Sequence, residues 1–366
     1  MTTVQSDADQ EKSNHLFSFL IAGLIAFSES NWKYPYPSTL SRARGLLFGA
    51  SIERGKWKFE SMGDFIKLVQ TPIRSWWPYD TFPEGIDPDA CLVNADFQIP
   101  SYVEELLLDL DDLSENQRFN AAELKLVLDN RKIREALQQA KDHPELEDAY
   151  VVLRRFLIEH PWIDVGDGVD VPREARQLMV QINDYYEMPS INMRHEGKYW
   201  LCPRCNGILI WGNDKPRCAT DGLCDHLVEF EQANSIIGDI RTLKMTFRKR
   251  VQLPGLPEIQ LFKELSEISD IDVKLWPDAD RYDLSVEKKG KFHWAIDVKD
   301  YASEFSLSSL FRKKSPPYIK GMEFFYAVPD QREQISRGYL HRLRKLSPSA
   351  IQIRLVSDIL REAKRH

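Results

Sequence analysis

The sequence predicts a chain of three parts: an α/β layer at the C-terminus, a small cysteine-bearing insert before it, and a mainly helical N-terminal region. Three observations carry this. From about residue 235 onward, short apolar runs alternate with helical ones, the pattern of a central sheet flanked by helices. Four of the five cysteines fall between Cys202 and Cys224. The N-terminal half carries helical periodicity and the apolar run His15–Phe27. The expected domains are residues 1–195, 196–234 and 235–366.

Composition bounds the answer. The 366 residues are 43% hydrophobic and 29% charged, which excludes a disordered or fibrous chain and leaves room for two or three domains. Five cysteines are too few for a disulfide scaffold of this length. The net charge of −7 gives the whole molecule no attraction for nucleic acid, so phosphate binding requires a local basic surface. The run His15–Phe27 is shorter than a membrane span, is interrupted by Ser18 and Gly23, and follows acidic Asp7, Asp9 and Glu11. It reads as a buried helix in a cytoplasmic protein without a membrane segment.

Along the N-terminal region, helices are expected at Val103–Leu137, Glu145–His160 and Pro172–Tyr186. Residues 81–150 hold 17 Asp and Glu against 6 Lys and Arg, a solvated acidic face. Tyr34–Pro37 and Ser75–Tyr79 read as ordered turns. Cys91 stands alone and reads as a core residue.

The insert has the spacing C-x2-C-x12-C-x5-C at Cys202, Cys205, Cys218 and Cys224. Four thiolates can surround one tetrahedral Zn²⁺, and a C-x2-C turn brings two sulfurs to one ion. Pro203 and Asn206-Gly207 suit a tight knuckle, and Ile208–Trp211 with Gly212–Asp214 suits a strand and turn between the cysteine pairs. The pattern resembles a zinc ribbon. Four protein ligands leave no open position for substrate, so the expected role of Zn²⁺ is structural. Cys224 is the ligand least fixed by spacing, with His226 as its substitute.

The C-terminal part reads as helix (257–269), strands (273–276, 282–287, 293–299), helix (303–311), strand (323–328), helix (331–346), strand (351–355) and helix (358–364). Period two in the third strand puts Trp294, Ile296 and Val298 on one face and Ala295, Asp297 and Lys299 on the other. In the preceding strand Tyr282, Leu284 and Val286 face the core, and Asp283 points the opposite way. The short turn between the strands brings Asp283 towards Asp297. Two carboxylates suit Mg²⁺ or Mn²⁺, hard cations that prefer oxygen, and a neighbouring lysine suits charge building on a phosphate.

Asp283, thirteen residues, then Asp297-Val298-Lys299 resembles the PD-(D/E)xK signature of restriction-endonuclease-like nucleases. The resemblance implies an αβββαβ core and a glutamate from the first helix as a further metal ligand. Glu258 is the expected residue, ahead of Glu264. At the "PD" step, Pro277-Asp278 is the literal pair and Asp278 the alternative to Asp283. Arg250–Glu258, Leu275–Pro277, Tyr282–Leu284 and Trp294–Tyr301, with the upstream cysteines, resemble the nuclease encoded beside prokaryotic PIWI-type (Argonaute-like) proteins in three-gene defence islands. That likeness implies a bacterial defence role, with a PIWI-type protein and a helicase as partners.

DNA is the expected substrate. The expected phosphate contacts are Arg248, Lys249 and Arg250 before the core, and Lys313 and Lys314 in a loop-like stretch. From Gln331 onward, 9 Lys and Arg face 3 acids. The function expected is thus a metal-dependent DNA endonuclease. The alternative is a non-catalytic nucleic-acid or partner-binding module on a degenerate nuclease fold.

Overall fold

The computed structural model describes residues 2–30, 32–55, 59–95, 97–100, 102–103, 106, 132, 134–166, 170–212, 215–218, 224, 227–314 and 316–365. Most of the helix expected at Val103–Leu137 and the substitute ligand His226 lie outside them. The chain forms two compact units: Met1–Lys125 with Tyr301–Lys314, and Leu126–Asp300 with Ser315–His366. The second unit thus joins part of the expected N-terminal region to the insert and the sheet.

In the first unit, helix Thr2–Glu29 packs on helix Ser38–Glu53. The expected buried run is its core face, with Leu16, Phe17, Phe19, Leu20, Ile21, Leu24 and Phe27 nearly inaccessible. Gly23 lets the helices touch, since a Cβ there would lie 2.5 Å from Leu40 Cα. Ser61 and Asp64 form a reciprocal cap at the start of helix Met62–Val69. Trp77 Nε1 donates to Ser13 Oγ at 3.0 Å, and Ser306 Oγ of helix Glu304–Lys313 donates to Gly85 O at 3.2 Å. Cys91 is half-buried rather than fully in the core. Among the described residues no helix is long and apolar enough to cross a membrane.

The second unit is built on a five-stranded sheet. Strands Asp272–Leu275, Leu284–Lys288 and Phe292–Val298 form an antiparallel meander; Glu323–Val328 and Ile353–Leu355 then add in parallel. Helices Leu253–Ser266 and Val356–Arg365 cover one face. Their Leu261, Leu265, Ile359 and Ala363 pack with Leu284, Val286, Trp294, Ile296, Val298 and Phe325, the face that strand alternation predicts. A second core joins helix Glu147–Glu159 to Ile259 and Trp276.

Three helix expectations are corrected. The stretch 172–186 is not continuous: a 3₁₀ turn Ala175–Leu178 ends at Met179, which is left-handed (φ 53°), and Ile182–Tyr185 is a separate turn. The stretch 331–346 divides into Asp330–Ile335 and Tyr339–Leu346 around Gly338 (φ 81°). The helix bearing Glu258 starts at Leu253, so Pro257 lies inside it and Glu258 in its second turn.

Candidate active site and cysteine cluster

Antiparallel register pairs Leu284 with Ile296, which sets Asp283 opposite Asp297. Asp283 N donates to Ile296 O at 3.0 Å, and Val298 N donates to Asp283 Oδ2 at 2.6 Å. The strand order thus fixes Asp283 by its backbone and by its carboxylate. Lys299 lies two residues beyond Asp297 on the same face, and its Nζ donates to Asp297 Oδ1 at 2.5 Å. Asp283 is nearly inaccessible. Burial first, then the charges of Glu258 and Asp297, push its carboxyl well above the usual range. Oxygen donors crowded in this way are of the type that hard cations prefer, so Asp283 and Asp297 could hold one.

Glu258 lies in the same group of acids, close enough for its charge to raise Asp283. Its Oε1 and Oε2 accept from Arg154 Nη2 at 3.0 and 2.8 Å, and Oε2 also accepts from Trp276 Nε1 at 2.6 Å. Burial pushes Glu258 up to about 7 against the pull of Arg154. The carboxylate expected to hold metal is bonded to a guanidinium and an indole. Of the alternatives, Asp278 is exposed, and Glu264 lies further along the helix, where it accepts from Gln260 Nε2 at 2.8 Å.

Arg154 and Asp280 belong to the site as well, beyond the residues that the sequence motif names. Arg154 Nη1 pairs with Asp280, and its Nη2 is 3.8 Å from Asp283 Oδ1. Its guanidinium lies 4.6 Å over the Trp276 ring. Tyr150 OH, one turn earlier on the same helix, donates to Asp280 Oδ2 at 2.8 Å. Asp280 is aimed by a left-handed turn with Trp276, Asp278, Ala279 and Asp280 at φ 47°, 55°, 52° and 63°. Such a conformation costs about 1–2 kcal/mol per residue without glycine. A sequence signal for Arg154 existed: it shares the helix stripe of Tyr150, Leu157 and Ile158, which are buried.

The four cysteines close as their spacing predicts. All four Sγ atoms lie within 4.8 Å of one another and are buried; among the described residues they form the one such group of metal-ligating side chains. Cys205 and Cys218 Sγ are 3.6 Å apart, too far for a disulfide and close to the edge of about 3.8 Å in a ZnS₄ tetrahedron. The knuckle closes through Cys202 N to Gly207 O (2.8 Å) and Asn206 N to Cys202 O (2.9 Å). Paired strands Leu209–Gly212 and Lys215–Cys218 return the third cysteine to it. The cluster can hold a metal ion such as zinc.

Arg248 belongs to this cluster rather than to a DNA-facing surface, which corrects the expectation. It is fully buried, and its Nη2 donates to Cys205 Sγ at 3.3 Å and reaches Cys218 Sγ at 3.9 Å. A Cys₄ site with Zn²⁺ carries excess negative charge, which a buried guanidinium offsets. Hydrogen bonds from the neighbouring thiols, then the charge of Arg248, hold Cys205 well below its ordinary range. Gln252 Nε2 donates to Cys205 O at 2.9 Å. The knuckle's Arg204 lies 3.8 Å from Asp300 Oδ2, beside Lys299, and Arg332 Nε donates to Asp300 Oδ1 at 2.6 Å. Of the other basic residues, Lys249 and Arg250 are half-buried, Lys313 meets Glu84 at 3.0 Å and Lys314 is exposed.

Residues 255–366 match the family model described as "REase associating with pPIWI_RE". Residues 20–164 match "pPIWI_RE three-gene island domain Y". These matches link the chain to the pPIWI_RE three-gene island. Its C-terminal part is similar to a restriction-endonuclease domain, and Arg154 comes from the part similar to domain Y. No curated protein matches the chain.

Proposed function

We propose that the chain is a Mg²⁺- or Mn²⁺-dependent DNA endonuclease acting in bacterial defence against invading DNA. The observation that carries this reading is the juxtaposition of Asp283 and Asp297 across one strand register, with Lys299 Nζ 2.5 Å from Asp297. The match of residues 255–366 supports the same reaction class. It also supports a PIWI-type protein as the proposed partner; a helicase is proposed from the sequence resemblance alone.

Asp283 and Asp297 would hold the ion. A bound divalent ion polarises a phosphate oxygen and makes water a nucleophile near neutral pH. Asp283, locked by the Val298 N–H, keeps its position while substrate enters. Lys299 holds a positive charge where the phosphate gains negative charge during displacement, a contribution of electrostatic stabilisation. Lys249, Arg250, Lys313 and Lys314 are the proposed backbone contacts; they position DNA without reading its sequence.

Plasmid cleavage with Mg²⁺ or Mn²⁺ tests this. The protein should nick or linearise DNA, and Asp297→Ala and Lys299→Ala should abolish cutting while the melting curve stays cooperative. Wild-type-like cutting by both variants removes the assigned site. The alternative, a non-catalytic module, is favoured by the ion pair that engages Glu258; it predicts DNA binding without cleavage and no loss in either variant.

A further inference from the structure

We propose that Arg154 is a permanent internal cation of the acidic site, which takes Glu258 and Asp280 for itself and leaves Asp283 with Asp297 as the ligands of a single divalent ion. This rests on the nuclease reading above and says how many ions the site accepts.

The geometry comes first. Arg154 Nη2 stands 2.8 Å from Glu258 Oε2 and 3.8 Å from Asp283 Oδ1, between the two carboxylates that a second ion would have to bridge. Its Nη1 holds Asp280. The arrangement is built rather than incidental. Trp276 supports the guanidinium with its ring face and bonds Glu258 with its indole N–H. Tyr150 holds Asp280 from the helix that carries Arg154. Glu147, on that helix too, accepts from Ala279 N at 3.2 Å and so fixes the left-handed turn. Buried carboxylates and a guanidinium joined in this way do not separate readily, because each would be left as an unpaired charge.

Charge balance points the same way. Glu258, Asp280, Asp283 and Asp297 are four carboxylates in one chain of contacts, and Arg154 and Lys299 are its two fixed cations. With all four ionised, the state in which carboxylates bind a metal, the remaining charge of minus two is cancelled by one divalent ion. A second ion would have to displace Arg154 from Glu258. Arg154 is therefore a positioning residue: it acts through the carboxylates it occupies.

The test counts ions. The zinc-loaded full chain is titrated with Mn²⁺, and bound ions are read by electron paramagnetic resonance and calorimetry. Wild type should bind one Mn²⁺ per chain, Asp297→Ala should bind none, and Glu258→Gln should keep the ion with affinity weakened by no more than about tenfold. Arg154→Met, if its melting curve remains cooperative, should take up a second Mn²⁺, because Glu258 and Asp280 lose their cation and keep only the neutral Trp276 and Tyr150 as partners. The wild-type count decides even where Arg154→Met does not fold. Two ions in a wild-type protein that cuts DNA overturn the role of Arg154 and leave the nuclease reading standing. Loss of the ion in Glu258→Gln as complete as in Asp297→Ala does the same. A wild type that binds no ion and cuts nothing overturns both.

Discussion

The backbone N–H of Val298 donates to Asp283 Oδ2 at 2.6 Å, so the carboxylate of one strand is held by the main chain of the next. One oxygen of Asp283 is committed to structure. The other faces a crowd of acids, partly balanced by Arg154. The two roles respond differently to substitution.

Asp283→Asn keeps an acceptor for Val298 N–H and removes a buried charge whose carboxyl is pushed well up by burial, Glu258 and Asp297. A carboxyl raised in the folded state favours folding at low pH and loses that contribution as pH rises through its folded value. At neutral pH without divalent metal, Asp283→Asn should therefore melt no lower than wild type and up to about 1 kcal/mol more stably. Asp283→Leu leaves the Val298 N–H without a partner and should cost about 1–3 kcal/mol. Both should lose cleavage. Thermal melts in chelator check the order; an Asn variant melting well below wild type would show that the charge is not a burden.

What could be read from the sequence follows how local each relationship is. Asp283, Asp297 and Lys299 come together through strand alternation and one short turn, both visible in a single stretch of chain. The cysteine knuckle is legible for the same reason. The Arg154–Glu258 pair spans 104 residues, and no local pattern announces it. Arg248 lies in the basic run Arg248-Lys249-Arg250, and composition does not say which of the three turns inward. The decisive fact is the open space beside Gly207, in a distant segment. The break at Gly338 was signalled by its glycine, but the left-handed residue at Met179 carries no such mark.

Glu333 gives a pH-dependent prediction that involves neither the candidate catalytic residues nor the cysteines. Its carboxylate accepts from Gly338 N at 2.6 Å and Leu340 N at 3.0 Å, capping the helix that restarts after Gly338. These bonds hold its carboxyl below the usual range. A lowered carboxyl stabilises above the ordinary carboxylate range and ceases to do so as pH falls through its folded value. Glu333→Gln should cost up to about 1 kcal/mol at pH 7 through the weakened cap, and the deficit should shrink as pH falls below the ordinary carboxylate range. Urea melts at several pH values measure this, and a deficit independent of pH would mean that the charge plays no part in the cap.

Gly207→Ala tests whether Arg248 is fixed. A Cβ at Gly207 would lie 2.0 Å from Arg248 Nη2 and 2.4 Å from its Cζ. A guanidinium on the surface would swing aside at little cost. Arg248 is fully buried against Cys205 and Cys218, so it has nowhere to go. The substitution should destabilise the protein by about 2 kcal/mol or more and weaken zinc retention. Denaturant melts and zinc content after dialysis report the two effects. A neutral substitution would mean that Arg248 is free to leave the thiolates.

Zinc removal should reach the candidate active site through the same contacts. Arg248 and Gln252, which hold Cys205, lie in the π-helical turn that runs directly into helix Leu253–Ser266, the element carrying Glu258. Arg204 of the knuckle lies near Asp300, next to Lys299. A Cys₄ site supplies folding free energy to a small insert with little core of its own. Stripping the ion removes the charge that holds four crowded sulfurs together, and replacing Cys205 by Ser removes the thiolate nearest Arg248, leaving a buried cation poorly paired, a costly state. Amide exchange should then accelerate in the knuckle and in residues 248–258, and DNA cutting should fall without any change at Asp283, Asp297 or Lys299. Exchange mass spectrometry before and after chelation, with zinc added back, tests the link. Faster exchange confined to residues 202–218 would show that the insert unfolds alone and that the helix bearing Glu258 stands without it.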